Sequence, residues 1–217
     1  MTATRAKVCG LTSADDVAAA VDAGADALGF IVDVPVDTPR EVSAERAADL
    51  AAAVPPFVST VLVTMADPAE IPALHARVDT DAVQVYGDPN VETLEALAAD
   101  LDAALVKTVD AANPDVARDY DGVADALLVD STDAAGAGGT GRTHDWDATA
   151  SLAADLDVPV VLAGGLTPEN VAEAVRTVGP YAVDVASGVE SAGGVKDHDA
   201  VRAFVRNAAR AGEEVSA

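Results

Sequence analysis

The 217 residues carry 37 Asp and Glu against 13 Lys and Arg, a formal net charge of −24, which repels nucleic acid and anionic lipid and argues against either as a partner. Half of the residues are hydrophobic and the acids are dispersed rather than gathered in a tail, which excludes a disordered chain and gives one well-buried domain. Such an acidic shell, with only three lysines (Lys7, Lys107 and Lys196), fits a halophile's high-salt cytoplasm, where molar salt screens self-repulsion.

No basic-then-apolar leader opens the chain, and no apolar run approaches membrane-spanning length. The single cysteine, Cys9, excludes an internal disulfide, and a cytoplasmic location is the expectation.

Eight short apolar runs recur along the chain: Ala6–Cys9, Ala27–Val32, Val58–Thr64, Ala82–Tyr86, Ala104–Val109, Ala126–Asp130, Val158–Ala163 and Ala182–Ala186. Most are β-branched and apolar on both faces, as parallel strands covered by helices are. Alanine-rich segments of helical period separate them: Ser13–Gly24, Ser43–Val54, Pro68–Arg77, Val91–Leu101, Ala148–Leu156, Pro168–Val178 and Asp199–Ala211. Thr167 reads as the N-cap and Pro168 as the first residue of the sixth. After the fifth strand, Asn113–Arg118 holds only a turn or two. Eight alternating units without a linker predict a single α/β domain, a (β/α)8 TIM barrel spanning residues 1–217. A doubly wound open sheet is the alternative, because periodicity does not show closure.

Candidate chemistry lies at the predicted C-terminal strand ends, where this fold places its sites. Period-2 alternation puts Lys7 and Cys9 on one face and Val8 on the other. Cys9 reads either as a small core hydrophobe or as a base at the barrel mouth, with Lys7 favouring its thiolate. Asp130 closes an apolar strand; it reads either as a cap for the next loop or as a desolvated general acid. Gly164-Gly165 and Ser187-Gly188, after strands seven and eight, form a cradle of backbone amides suited to phosphate. Arg40 suits a substrate carboxylate, or is a solvated arginine. Asp184 alternates with Val183 and Val185, so it points inward, toward the site or into a structural hydrogen bond. Gly136-x-Gly138-x-x-Gly141 matches the dinucleotide fingerprint only formally; a loop closing over the site is the better reading. Trp146 anchors the far end of that loop. His75, His144 and His198 lack metal-ligand spacing, so no metal is expected.

Taken in order, Lys7-Val-Cys-Gly10, Gly24-Ala-Asp-Ala-Leu-Gly-Phe30, Pro39-Arg40-Glu-Val42, Val83-Gln84-Val85, Leu128-Val-Asp130-Ser131, Gly138-Gly-Thr-Gly141, Asp145-Trp146, Leu162-Ala-Gly-Gly-Leu166, Pro168-Glu-Asn-Val171 and Val183-Asp-Val-Ala-Ser-Gly-Val-Glu190 to Gly194-Val-Lys-Asp197 resemble the phosphoribosylanthranilate isomerase family along the whole chain. The resemblance implies a (β/α)8 barrel without metal or cofactor. Its reaction is the Amadori rearrangement of N-(5-phosphoribosyl)anthranilate to 1-(2-carboxyphenylamino)-1-deoxyribulose 5-phosphate, in tryptophan biosynthesis. It implies Cys9 as general base and Asp130 as general acid. Arg40 falls on the anthranilate carboxylate, Asp184, Gln84 and Lys7 on the substrate side, and Gly164, Gly165, Ser187 and Gly188 on the phosphate. The expected partner is that small phosphorylated substrate, with the chain a monomer or homodimer. Two positions depart from the family pattern: Tyr86 replaces its histidine after Gln84, and His144 replaces the aromatic before Asp145. Other phosphosugar barrels, an epimerase or an indole-glycerol-phosphate synthase, and a non-catalytic phosphate-binding barrel are the rival readings. The first lacks its metal-binding histidines here and the second its catalytic lysine–glutamate partners; a mere binder needs neither Cys9 nor Asp130.

Overall fold

The computed structural model describes residues 4–131 and 144–216; the Gly136–Gly141 motif lies outside the described residues. Eight strands, β1 (Arg5–Cys9), β2 (Ala27–Ile31), β3 (Ser59–Thr64), β4 (Ala82–Val85), β5 (Ala104–Asp110), β6 (Ala126–Asp130), β7 (Val160–Leu162) and β8 (Ala182–Val185), pair in parallel in chain order. β8 returns to β1 with Lys7 opposite Asp184. The sheet is therefore a closed barrel, and the open-sheet alternative is set aside.

Period-2 alternation divides each strand between two cores. Val8, Leu28, Phe30, Leu62, Val83, Leu105, Leu127, Leu162 and Val183 point outward and merge with the apolar faces of the helices into one large cluster. Inside the barrel the apolar filling is thin. Cys9, Val61, Val63 and Ala82 form one small group and Leu128, Val161, Ala163 and Ala182 another. The remaining interior is polar and buried, with Lys7, Gln84, Thr108, Asp130 and Asp184 all under 10 % exposed.

The helices are α1 (Ala14–Asp22), α2 (Ala44–Ala51), α3 (Ile71–Val78), α4 (Val91–Asp100), α5 (Trp146–Asp155), α6 (Val171–Val178) and α7 (His198–Ser216), and a 3-10 segment, Pro114–Tyr120, stands after β5. Ser13, Ser43, Asn90 and Asp145 cap α1, α2, α4 and α5 by accepting from backbone N–H groups. Two helices start later than their sequence suggests. Thr167 does not cap α6. Its N–H donates to Asn170 Oδ1 at 2.8 Å and Asn170 Nδ2 donates to Gly165 O at 2.9 Å, so Thr167–Asn170 is a turn that pins the loop after β7. Asp67 holds a similar turn before α3. α7 instead runs past the predicted end at Ala211 through Gly212, where a Cβ would sit 2.3 Å from the backbone nitrogen of Thr4. The glycine permits close helix–strand packing and does not stop the helix.

At the N-terminal end of the barrel an aspartate before each of β2, β4 and β6 accepts from the first residues of the neighbouring strand. Asp26 takes the Ala6 N–H, Asp81 that of Thr60, and Asp125 that of Leu105. Part of the acidity is therefore structural capping and not surface charge. Among the described residues no helix is long and apolar enough to cross a membrane. None of their His, Cys, Asp and Glu groups three or more strong into a constellation that could hold a metal ion.

Candidate active site

The cavity opens at the C-terminal strand ends. Its lining includes Cys9 from β1, Tyr86 just after β4, Asp130 closing β6, Gly164 and Gly165 after β7, Asp184 in β8 and Ser187 and Gly188 beyond it, with Arg40 from the loop after β2. Cys9, Asp130, Arg40, Asp184 and the four cradle residues thus converge on one space. Lys7 and Gln84, also expected beside the substrate, lie one layer beneath and do not line it. Lys7 Nζ donates to Asp184 Oδ1 at 2.9 Å, and Gln84 Nε2 donates to Thr108 Oγ1 at 3.1 Å.

Gly29 on β2 makes room for the Cys9 thiol. A Cβ there would lie 2.8 Å from Cys9 Sγ and 3.2 Å from Lys7 Nζ, so both side chains occupy the space that the glycine leaves. Lys7 does pull the thiol toward ionisation, but not enough. Burial is the larger effect, and Cys9 stands above its ordinary value, with Asp184 pushing the same way. Lys7 thus favours the thiolate, as its position two residues away suggests, but burial outweighs it and its charge is shared with Asp184. Lys7 itself is raised, the attraction of Asp184 and Cys9 outweighing its burial.

Asp130 is 3 % exposed and held up to about 6. Burial is the main cause and the charge of Asp184 the next; the hydrogen bond from Tyr86 opposes both. That bond runs from the hydroxyl to Oδ2 at 3.1 Å. Tyr86 is pushed well above the ordinary tyrosine value by its own burial and by Asp130, so it remains a donor throughout the working range. His144 places Nδ1 3.1 Å from Ser131 Oγ, and burial lowers its basicity. Trp146 opens α5 and packs against the main core.

The cradle depends on glycine at two points. Gly164 has φ +86°, and a Cβ would lie 2.8 Å from Ser131 N and 3.0 Å from Asp130 Oδ1. At Gly188 a Cβ would come within 1.9 Å of the Leu166 carbonyl oxygen. The loops after β7 and β8 therefore touch backbone to backbone.

Arg40 is anchored from behind. Its Nε and Nη2 donate to Glu190 Oε1 and Oε2 at 2.8 and 2.7 Å. Glu190 opens a short antiparallel ribbon, β9 (Glu190–Ala192) with β10 (Val195–Lys196), whose last residue returns Nζ to Glu190 Oε1 at 2.8 Å and to Ala186 O at 3.0 Å. Burial works against the Glu190 carboxylate, yet the bonds from Arg40 and Lys196 hold it below the ordinary glutamate value. Burial pulls Lys196 below the ordinary lysine value. Sequence reasoning assigned no role to Glu190 or Lys196. The available signal was the presence there of one of only three lysines in a strongly acidic chain.

A closed parallel barrel with a glycine cradle after β7 and β8, and an acid and a thiol at its mouth, defines a phosphosugar-handling barrel enzyme. The family pattern of N-(5′-phosphoribosyl)anthranilate isomerase matches residues 6–207. The chain is 59 % identical over 203 residues to the N-(5′-phosphoribosyl)anthranilate isomerase of Natronomonas pharaonis (93 % of this chain, 96 % of that protein). To that of Haloferax volcanii it is 58 % identical over 207 residues (93 % and 91 %). Both organisms are halophilic archaea. A crystal structure of phosphoribosylanthranilate isomerase with reduced 1-(o-carboxyphenylamino)-1-deoxyribulose 5-phosphate superimposes with TM-score 0.81 at 33 % identity, covering 94 % of this chain and 98 % of that one. The chain belongs to the phosphoribosylanthranilate isomerase family. Its activity is the family's aldose–ketose isomerisation in tryptophan biosynthesis.

Proposed function

We propose that the isomerisation runs between Cys9 and Asp130. Asp130, protonated, gives its proton to the ribose ring oxygen as the bond from that oxygen to C1 breaks. The nitrogen lone pair closes a C1=N bond, giving an open-chain Schiff base. The Cys9 thiolate then takes the proton from C2, and those electrons form C1=C2 while the C1=N pair returns to nitrogen, giving the enolamine. Loss of the C2 hydroxyl proton and protonation at C1 deliver the 1-amino-2-ketose, so no atom is gained or lost overall.

Gly164, Gly165, Ser187 and Gly188 take the phosphate, Arg40 the anthranilate carboxylate, and Asp184 the anthranilate side. Binding at the two charged ends orients the reacting carbons between acid and base. Lys7 and Gln84 serve from beneath, Lys7 through Asp184 and Cys9. The small phosphorylated substrate is the partner, in the cytoplasm, with the chain acting as a monomer or homodimer.

The observation that carries this reading is that Cys9 and a protonatable Asp130 line one cavity together with Arg40 and the glycine cradle. The test follows the fluorescence of freshly made phosphoribosylanthranilate in molar KCl. Wild type consumes it; Cys9→Ala and Asp130→Ala lose about 10²–10⁴-fold in kcat while melting as cooperatively as wild type. Near-wild-type turnover in either variant removes that residue from the mechanism.

A further inference from the structure

The arginine that this reading gives to the substrate carboxylate carries a difficulty. Arg40 already spends its fork on Glu190, in a bidentate pair whose side chains are 18 % and 5 % exposed. Taken alone, that pair is electrically neutral, and a neutral pair inside a chain of net charge −24 offers little to an anion. Lys196 changes the balance. Its ammonium is fully buried and bonds the same carboxylate at 2.8 Å. Two cations then share one carboxylate, and one unit of positive charge remains uncompensated. Among the described residues Arg40 Nη1 makes no hydrogen bond, so the group that faces the cavity with donors to spare is the guanidinium and not the ammonium.

The backbone fixes this arrangement. A Cβ on Gly10 would lie 2.8 Å from Arg40 Cδ, and one on Gly194 would lie 2.3 Å from Pro39 O. The arginine stem is thus bounded on one side by the end of β1 and its loop on the other by the β9–β10 turn. The Thr12 hydroxyl donates to Gly194 O at 2.8 Å, tying that turn to the loop after β1.

We infer that Lys196 is a positioning and charge-setting residue. By neutralising Glu190 it lets Glu190 hold the Arg40 guanidinium in place without cancelling its charge toward the substrate carboxylate. The inference rests on the assignment of the carboxylate to Arg40.

The test compares KM and kcat in molar KCl for wild type, Arg40→Met, Lys196→Met and the double variant Glu190→Gln/Lys196→Met. Lys196→Met leaves Arg40 neutralised by Glu190, and raises KM at least about tenfold with kcat within a few fold of wild type. The double variant again leaves Arg40 as the uncompensated charge, and it brings KM back to within about threefold of wild type. Lys196→Gln, which keeps a donor for Glu190 and Ala186 O, serves as the neutral variant where methionine does not fold. Equal impairment of Lys196→Met and the double variant would show a packing role and overturn the inference. So would an unchanged KM in Lys196→Met beside a raised KM in Arg40→Met. A wild-type KM in Arg40→Met overturns the carboxylate assignment itself, and the inference with it.

Discussion

The Tyr86 hydroxyl holds Asp130 by one oxygen, donating to Oδ2 at 3.1 Å, while Oδ1 has no hydrogen-bond partner among the described residues. Burial and the charge of Asp184 push the Asp130 value up, and this bond moderates the rise, because a donor to the carboxylate favours the ionised form.

This pairing dictates an unusual pH profile. The proposed mechanism needs Asp130 protonated and Cys9 ionised, yet Asp130 titrates near 6 and Cys9 above its ordinary value of 9.0. Between the two the competent fraction is small and constant; below about 6 it falls as Cys9 ionisation is lost with no further gain of protonated Asp130. We expect kcat/KM to rise with a midpoint near pH 6 and then run level. Tyr86→Phe removes a bond that favours the carboxylate, so the rising limb moves to higher pH. The substrate phosphate also titrates at about 6, but its limb would not move. A limb that stays fixed in Tyr86→Phe would belong to the substrate.

The same burial acts on stability. Asp130 is raised from 3.8 to about 6 in the folded protein, so the native state binds that proton more tightly than the unfolded chain. Its contribution is fully present below pH 4 and lost as pH rises through 6, where the deficit reaches about 3 kcal/mol. Asp130→Asn has no such titration. It should therefore melt roughly 5–10 °C above wild type at pH 8 and lose most of that advantage toward pH 4, while being catalytically dead. Equal melting temperatures at pH 8 would show that the carboxylate is not strained by its site.

Much of the fold was legible because buried parallel strands write themselves as short β-branched runs, and every one of the eight is present within two residues of its predicted ends. Errors came where a side chain competes with the helix for backbone donors, as Asn170 does before α6, or where a glycine serves packing, as Gly212 does in α7. At the site, strand-end position and alternation located Cys9, Asp130 and Asp184. They do not say which inward residues reach the mouth, and Lys7 and Gln84, inward but one layer beneath, do not line the cavity. Nor could spacing reveal pairings across 44 or 150 residues, Tyr86 with Asp130 and Arg40 with Glu190. Those depend on barrel closure and on the return of the β9–β10 ribbon.

The cradle proposed for the phosphate can be probed by contrasting Gly188 with a glycine outside it. Gly188→Ala drives a methyl group into the Leu166 carbonyl, so the loops after β7 and β8 must separate. The expected result is a KM increase of at least about tenfold with a stability loss of about 1–3 kcal/mol. Gly24→Ala meets nothing within 4 Å, although its φ is +84°. It should cost only about 1–2 kcal/mol for the left-handed backbone and leave KM unchanged. If both variants bind substrate equally well, the contact between the loops does not shape the phosphate site.

Salt dependence follows from where the cations sit. All three lysines are buried, at 7 %, 0 % and 4 % exposure, so the surface carries arginines among a large excess of acids. The exposed ion pairs, Arg77–Glu45, Arg118 with Asp115 and Asp155, Arg176–Glu214 and Arg202–Asp199, are worth about 0–1 kcal/mol each and cannot offset the repulsion of the unpaired acids. Screening can, because the Debye length falls from about 30 Å at 0.01 M to about 3 Å at 1 M. Transfer from 2 M KCl to dilute buffer should therefore lower Tm by about 10 °C or more. Molar salt also strengthens apolar burial, as sucrose does by exclusion from the surface, and a parallel melt in concentrated sucrose without salt separates the two effects. Recovery in KCl but not in sucrose identifies charge screening. An unchanged melt in dilute buffer, or full recovery in sucrose, would mean that the acidic shell is not what ties this barrel to salt.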